Sequence, residues 1–201
     1  MKVYPDTFEA LMNFFKKLPG IGEKSAERMA FSTLNLTLEE IEDASDILVR
    51  SKKNLRPCSV CGLLTDQDTC SVCSSAIREK NLICVVEDDK SAFAFEKAGN
   101  YKGTYHILKG LISPMDNIGA EDIQLSSLVR RVESLDNPEI ILALKSSIEG
   151  ETTMLYIKKI FEDKNVTISR LSYGLPSGAE IDYLDMLTLD KALEDRKKIS
   201  E

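Results

Sequence analysis

Apolar residues in the first quarter of the chain recur every three or four positions, the spacing of one face of a helix. Polar and charged residues fill the positions between them. The pattern predicts a small domain of three helices over residues 1–56, the third running from about Leu38 to Leu55. The apolar positions of the three helices are Phe8, Leu11, Met12, Phe15 and Leu18; Ala26, Met29 and Ala30; and Ile41, Leu48 and Leu55, which lie seven residues apart.

Beyond Arg56 and Pro57 the pattern changes. Residues 82–86, Leu-Ile-Cys-Val-Val, are continuously apolar, as in a strand buried on both faces. Strands that alternate with helices favour a mostly parallel sheet with right-handed crossovers. The pattern predicts strands at 82–86, 105–108, 140–144 and 166–171, helices at 89–98, 121–134 and 150–163, and a last helix from about Thr188 to Lys197.

The net charge of −7 is distributed unevenly over the 201 residues. Residues 1–56 hold 9 basic and 9 acidic side chains, so the remainder carries the whole negative charge. An acidic body repels DNA, and any contact with DNA is therefore expected in the neutral N-terminal part. No apolar run approaches the length of a membrane span, and Asp6 and Glu9 interrupt the place of a signal peptide. We expect a protein of the reducing cytoplasm.

The sequence Leu18-Pro19-Gly20-Ile21-Gly22 between two helices is typical of a helix-hairpin-helix. Gly20 and Gly22 allow a tight turn, and the N–H groups that open the second helix are a ready phosphate site. Lys24 and Arg28 are four residues apart and share a face of that helix. With Lys16 and Lys17 they predict a contact that grips DNA phosphates and reads no bases. The alternative is a plain turn beside solvated charges.

Four of the five cysteines form two Cys-x-x-Cys pairs, Cys58/Cys61 and Cys70/Cys73. Four thiolates at this spacing suit one tetrahedral ion, and sulfur ligands favour zinc. Free thiols or a redox pair are the alternatives. With no coordination position left open, the sequence predicts one structural Zn²⁺ per chain. Cys84 lies in an apolar strand and is interpreted as a core residue.

Acidic residues follow the first buried strand at Glu87, Asp88 and Asp89, and Glu149 follows the third. Because ligands gather at the carboxyl ends of parallel strands, two carboxylates there could hold Mg²⁺, but an exposed acidic edge is the simpler interpretation. The only histidine, His106, lies in a predicted strand and is interpreted as structural. Residues 174–178, Gly-Leu-Pro-Ser-Gly, lack the Lys-Ser/Thr of a phosphate loop and are interpreted as a turn.

Five stretches together resemble the RecR family of bacterial recombination proteins. Besides the four cysteines, they are LPGIGEKSAERMAF, ICVVED, TYHILKGLISPMDNIG, IEGETTMLYI and YGLPSGAEIDYLD, and they occur in the family's order over nearly the whole chain. The resemblance implies an α+β protein in four parts. These are a helix-hairpin-helix domain (1–56), a four-cysteine zinc finger (57–76), a Toprim α/β domain with a mostly parallel sheet (77–172) and a C-terminal helical segment (173–201).

The resemblance also implies a function. Such proteins form tetrameric rings able to encircle DNA, and act with RecO, and in some cases RecF, to load RecA on gapped or single-stranded DNA during recombinational repair. The family's DNA-contacting basic residues match Lys24 and Arg28, and its Toprim glutamate matches Glu87. Its acidic surface for RecO matches Glu149 in the IEG motif, to which Glu87 and Asp88 are added here as partner-binding residues. A bacterial, nucleoid-associated location follows from this role.

One departure concerns catalysis. A catalytic Toprim domain carries Asp-x-Asp-x-x-Gly where this chain has Lys145-Ser146-Ser147-Ile148-Glu149-Gly150, so both aspartates are replaced. Members of the family lack the pair as well but usually have Asn-Pro in place of Lys145-Ser146. A cation at residue 145 opposes Mg²⁺. We therefore expect a DNA-binding mediator and no enzyme. The rival is a Mg²⁺-dependent Toprim enzyme using Glu87, and a plainer third interpretation is a zinc-bound scaffold without a DNA role.

Overall fold

The computed structural model describes residues 3–172 and 174–198. Tyr173 and residues 199–201, at the two ends of the predicted C-terminal segment, lie outside the described residues. The chain divides into two compact units, Met1–Leu55 and Arg56–Glu201. None of the helices within the described ranges is long and apolar enough to span a bilayer.

The first unit contains three helices. Helices α1 and α2 pack against each other through a small buried cluster of Phe8, Met12, Ala26 and Ala30. Leu18, which the apolar spacing placed on the first helix, lies beyond its end and is exposed, because the chain turns at Lys16. The bounds are α1 Asp6–Phe15, α2 Glu23–Thr33 and α3 Leu38–Asn54.

Helix α3 has the expected length and a strong start, but it buries nothing. Thr37 and Glu40 form a capping box in which each side chain satisfies the other's backbone N–H. Yet no residue of α3 is buried, and Leu48 on the expected apolar row is 60% exposed. A helix of this length gains most of its stability from packing an apolar face. Of the row of Ile41, Leu48 and Leu55, Ile41 is half-buried, whereas Leu48 and Leu55 are exposed.

The second unit begins with a small hairpin and continues as a parallel sheet flanked by helices. The hairpin strands are antiparallel, and all three pairings in the four-stranded sheet are parallel, in the order β4-β3-β5-β6. The bounds are β1 Arg56–Pro57, β2 Leu64–Thr65, α4 Ser71–Ser74, β3 Leu82–Val86, α5 Asp89–Ala98, β4 Thr104–Ile107, α6 Leu125–Glu133, β5 Glu139–Ala143, α7 Ile148–Ile160, β6 Thr167–Arg170 and α8 Met186–Glu194.

The central strand β3 is buried on both faces, as its continuous apolar sequence predicts. Ile83 and Val85 join one core, which α6 and α7 complete. Cys84 and Val86 point the other way, into a second core with Tyr105, Ile107, α5 and the cysteine-rich segment. The predicted fold class is confirmed. The cysteine-rich segment thus packs directly on one face of the sheet and shares its core.

The loop after β5 is held tightly against the start of α7. A Cβ atom at Gly150 would overlap the carbonyl oxygen of Lys145, so only glycine fits there. Ser147 caps α7 by accepting a hydrogen bond from the Gly150 N–H at 3.2 Å. This packing fixes residues 145–149 at the carboxyl end of the sheet.

Candidate functional site

The two Cys-x-x-Cys pairs converge at the base of the β1–β2 hairpin. The sulfur atoms of Cys58, Cys61, Cys70 and Cys73 all lie within 4.8 Å of one another, and those of Cys61 and Cys70 are 3.6 Å apart. A tetrahedral zinc ion about 2.3 Å from each sulfur requires sulfur separations of about 3.8 Å. The four thiols therefore fit a zinc ion.

Backbone N–H groups point to two of the sulfur atoms and stabilise their thiolate forms. The N–H of Cys70 points to the sulfur of Cys58 at 3.3 Å, and the N–H of Cys73 points to the sulfur of Cys70 at 3.4 Å. Hydrogen bonds from Cys61 and Cys73 lower the pKa of the Cys70 thiol. Burial alone raises the pKa of Cys84 to about 12. The hydrogen bond with Cys70 in turn raises the pKa of Cys61, so the thiolate character lies on Cys70. Cys84 is the buried core residue that the sequence predicted.

The cysteine cluster is joined to the sheet by backbone hydrogen bonds. The N–H of Ile107, at the end of β4, donates to the carbonyl of Cys61 at 2.8 Å. Gly62 adopts a positive φ of 78°, and a Cβ there would crowd the Ile107 carbonyl at 3.3 Å. On the other side, Lys80 donates to the carbonyls of Cys73 and Ser75 at 2.7 and 2.6 Å, which satisfies the end of α4.

The turn between α1 and α2 has the geometry that the helix-hairpin-helix sequence predicts. Gly20 has a φ of 80°, in the left-handed region that favours glycine. Gly22 is the residue before α2 and offers no side-chain cap, so the first N–H groups of α2 have no partner within the helix. Lys24 and Arg28 are exposed on α2. An anion can approach this helix start from solvent.

The two lysines before the turn differ in their surroundings. Lys16 forms an ion pair with Glu23 at 3.0 Å, so part of its charge is already balanced. Lys17 is exposed and has its backbone N–H bonded to the Phe14 carbonyl. Lys16 is therefore a weaker candidate for phosphate contact than Lys17, Lys24 and Arg28. The roles of all six predicted DNA-binding residues remain predictions.

Acidic residues meet a lysine at the carboxyl end of the sheet. Glu87 follows β3 and pairs with Lys145, which follows β5, at 3.3 Å. The two strands are neighbours, and the strand order reverses between them, because β4 lies on the far side of β3. Open α/β sheets bind their ligands at such a reversal. We call Glu87, Asp88, Lys145 and Glu149 the rim.

Local hydrogen bonds favour the ionised forms of Asp88 and Glu149. Asp88 caps α5, and hydrogen bonds from the Ser91 N–H and hydroxyl lower its pKa. A hydrogen bond from Ser147 lowers the pKa of Glu149, and the charge of Lys145 contributes less. Asp88 is exposed and Glu149 is half-exposed, so water screens these effects. A single ammonium group thus acts on three carboxylates.

Three other sequence interpretations, of His106, residues 174–178 and the last helix, can be compared with the structure. His106 is buried as expected, and its Nε2 lies 2.9 Å from the Gln124 carbonyl, but its Nδ1 has no partner among the described residues. Burial lowers the pKa of His106 to about 4, so the ring is neutral at pH 7. Residues 174–178 turn at Gly178, where φ is 79°. The last helix begins two residues earlier than expected, because Asp185 caps it through the Thr188 N–H.

Sequence reasoning missed several contacts that hold these sites. Asp89 accepts a hydrogen bond from the Leu64 N–H at 2.6 Å and joins α5 to the hairpin. Arg170 pairs with Asp195, and Lys191 with Glu151, which attaches α8 to the sheet domain. For the two ion pairs the only sequence signal was opposite charge at distant positions, and many other pairs of residues share that signal.

Family models match the chain in four consecutive parts. A RecR helix-hairpin-helix model matches residues 8–50, and a RecR model of a zinc finger with four cysteines matches 55–75. A Toprim domain model matches 81–172, and a RecR C-terminal model matches 174–197.

A chain with these parts is a zinc-finger Toprim protein that binds DNA. It belongs to the RecR family, whose members function in recombinational repair. The predicted zinc cofactor is confirmed by the matching zinc-finger model and the clustered thiols.

The zinc site should govern the stability of the second unit. Replacing Cys58 or Cys70 with Ser removes one of four thiolates, so we expect release of about one zinc per chain and a Tm lower by roughly 10 °C. Metal analysis and calorimetry measure the two effects. Cys84→Ala is the matched control, since it removes a buried thiol outside the cluster and should keep the metal. Wild-type protein free of zinc after purification without chelator would contradict the assignment.

Proposed function

We propose that this protein is a non-catalytic mediator that binds DNA through its first unit and recruits RecO through its rim. In this role it helps to load RecA on gapped or single-stranded DNA, with RecF as a further partner in recombinational repair. Double- and single-stranded DNA are both bound, because the contact is to phosphates. The ion pair between Lys145 and Glu87 is the observation that carries the proposal, since it separates docking from catalysis at the rim.

The rim favours docking because the side chains that replace the two aspartates oppose a divalent cation. A catalytic Toprim site needs several carboxylates around Mg²⁺, and here a lysine and Ser147 occupy the aspartate positions. The Lys145 ammonium pairs with Glu87, and the Ser147 hydroxyl caps α7. The carboxylates of the exposed Asp88 and the half-buried Glu149 remain available to a basic surface. The rival function is Mg²⁺-dependent DNA cleavage by the same residues.

We infer further that the protein assembles, and that α3 pairs with α3 of a second copy. Leu38, Ile47 and Leu48 are each more than half exposed on this helix. Its charges are segregated: Glu39, Glu40, Glu42, Asp43 and Asp46 occupy the first half, and Arg50, Lys52 and Lys53 the second. An antiparallel pair of such helices places acidic halves against basic halves.

The sequence of α3 suits a two-fold pair centred on Leu48. In that register Ile41 of one copy faces Leu55 of the other, and the Leu48 residues of the two copies face each other. Glu42 and Lys53 are about three turns apart and lie on the same side of the apolar row, so they meet across the two-fold axis. A pair of this kind is isologous, and a second type of contact would close the tetrameric ring that we propose.

Charge reversal at α2 tests the DNA contact. Lys24→Glu with Arg28→Glu should weaken binding by roughly tenfold or more, equally for unrelated sequences, and should flatten the salt dependence by about two phosphate contacts. Fluorescence anisotropy over a series of salt concentrations measures both. Lys97→Glu with Lys102→Glu gives the same change of net charge on the exposed surface of the second unit and should have little effect. Unchanged affinity in the folded α2 variant would refute the assignment and favour the scaffold interpretation.

Charge reversal at the rim distinguishes the mediator from the enzyme. Glu149→Lys should weaken RecO binding by roughly threefold to tenfold, mainly at low salt, because exposed charge pairs are screened. Its DNA binding should remain, and Glu162→Lys is the control beyond the other end of α7. RecO capture and a Mg²⁺-dependent nuclease assay on gapped DNA are run together. Normal capture by Glu149→Lys, with cleavage by wild type that Glu87→Gln abolishes, would establish the enzyme instead.

Exchanged charges test the α3 pair. Lys53→Glu and Glu42→Lys should each weaken self-association by roughly threefold to tenfold, because like charges then face each other at both ends. An equimolar mixture of the two variants should associate as wild type does, and so should the double variant. Sedimentation equilibrium measures the association. Leu48→Asp should abolish self-association, because it places two carboxylates at the centre of the pair. Mixtures no tighter than either single variant would exclude the antiparallel register.

A further inference from the structure

Asp89, the first residue of α5, connects the zinc finger to the rim. Its carboxylate accepts a hydrogen bond from the Leu64 N–H at 2.6 Å and lies 3.6 Å from the Lys109 ammonium. The side chain is 28% exposed, so the contact is partly shielded from water. Leu64 belongs to β2 and follows Cys61 by three residues. A backbone group close to a metal ligand thus contacts the start of α5.

Lys109 holds the same turn from a second direction. Its backbone N–H donates to the Glu87 carbonyl at 2.9 Å, and its ammonium approaches Asp89. To do both it adopts a φ of 66°, which is uncommon for a residue other than glycine. Lys109 therefore holds both ends of residues 87–89. It follows β4, the strand that contacts Cys61.

The cysteine-rich segment that contacts Asp89 is itself constrained by zinc. The hairpin strands β1 and β2 have two residues each, and α4 has four, so local structure alone gives the segment little rigidity. Packing of Cys61 and Leu63 on the sheet orders part of the segment. The further constraint on the Cys61 carbonyl and the Leu64 N–H is the metal, because four thiolates must converge on it.

We propose that Asp89 is a positioning residue through which zinc occupancy sets the geometry of the rim. With zinc bound, Leu64 and Lys109 hold Asp89, and residues 87–89 present Glu87 and Asp88 in one arrangement. When zinc leaves, Leu64 moves away, Asp89 is released, and the rim loses its fixed form while the first unit keeps its DNA contact. The consequence for partner binding rests on the function proposed for the rim; the coupling itself does not.

Another role for Asp89 predicts different behaviour. An acidic residue in the first turn of a helix stabilises the helix through the macrodipole, without any link to the finger. In that case neutralising the carboxylate destabilises α5 whether or not zinc is bound. In the proposed coupling, the oxygen that accepts from Leu64 is what matters, so Asp89→Asn keeps the link and Asp89→Ala breaks it.

Hydrogen exchange measured by mass spectrometry tests the coupling in the full chain. In wild type, removing zinc with a chelator should speed exchange of residues 87–92 by roughly tenfold, the loss expected for a hydrogen bond to a charged group. Asp89→Ala should show that fast exchange while zinc is still bound, and Asp89→Asn should resemble wild type. Asp68→Ala is the control, since its carboxylate bonds within the finger, to the Ser59 hydroxyl at 3.0 Å.

RecO affinity, measured on the same proteins, separates this inference from the function it rests on. Asp89→Ala should lower RecO affinity severalfold and leave DNA affinity unchanged. Equal exchange at residues 87–92 with and without zinc would overturn the coupling, and so would wild-type exchange in Asp89→Ala. If exchange changes as expected but neither Glu149→Lys nor Asp89→Ala affects RecO, the docking function fails and the coupling stands.

Discussion

The convergence of four thiolates on one point is the constraint on which the second unit depends. The segment that carries them has two-residue strands and a four-residue helix, too little to fold alone. It nevertheless supplies part of the core beneath β4, because Cys58, Cys61, Leu63 and Cys70 are buried with Tyr105 and Ile107. The sheet and the metal site are therefore parts of the same folding unit. The cost of ordering a short segment is offset by the metal and by the sheet together.

The rim shows how side chains at the end of a sheet change what a fold can do. The order β4-β3-β5-β6 creates a crevice between β3 and β5 in any sequence that adopts it. What fills the crevice is decided by the side chains at its edges, and here these are a glutamate and a lysine that neutralise each other. The fold retains the place of a metal site, while a lysine there opposes the binding of a cation.

Local features of the sequence predicted more of this structure than distant ones. Strand 82–86 was predicted to the residue, because burial on both faces leaves a continuous apolar run. The zinc site was predictable because all four ligands fall within sixteen residues. Helix α6 was expected at 121 but starts at Leu125, since the Gln124 N–H bonds back to the Leu108 carbonyl and holds the preceding residues in a turn. The link between Leu64 and Asp89 was not predictable, because one partner is a backbone group and leaves no mark in the sequence.

The outer edge of β4 is one of the two edges of the four-stranded sheet, the places where other chains can pair with it. Two of its backbone groups are engaged there: the Ile107 N–H by the Cys61 carbonyl, and the Tyr105 carbonyl by Arg131. An open edge strand is a template for pairing with other chains, and proteins that leave one open tend to aggregate. Of these two contacts, the one from Cys61 comes from a residue of the zinc cluster. We therefore expect zinc binding to protect the edge of the sheet from pairing with other chains, in addition to holding the cysteine-rich segment.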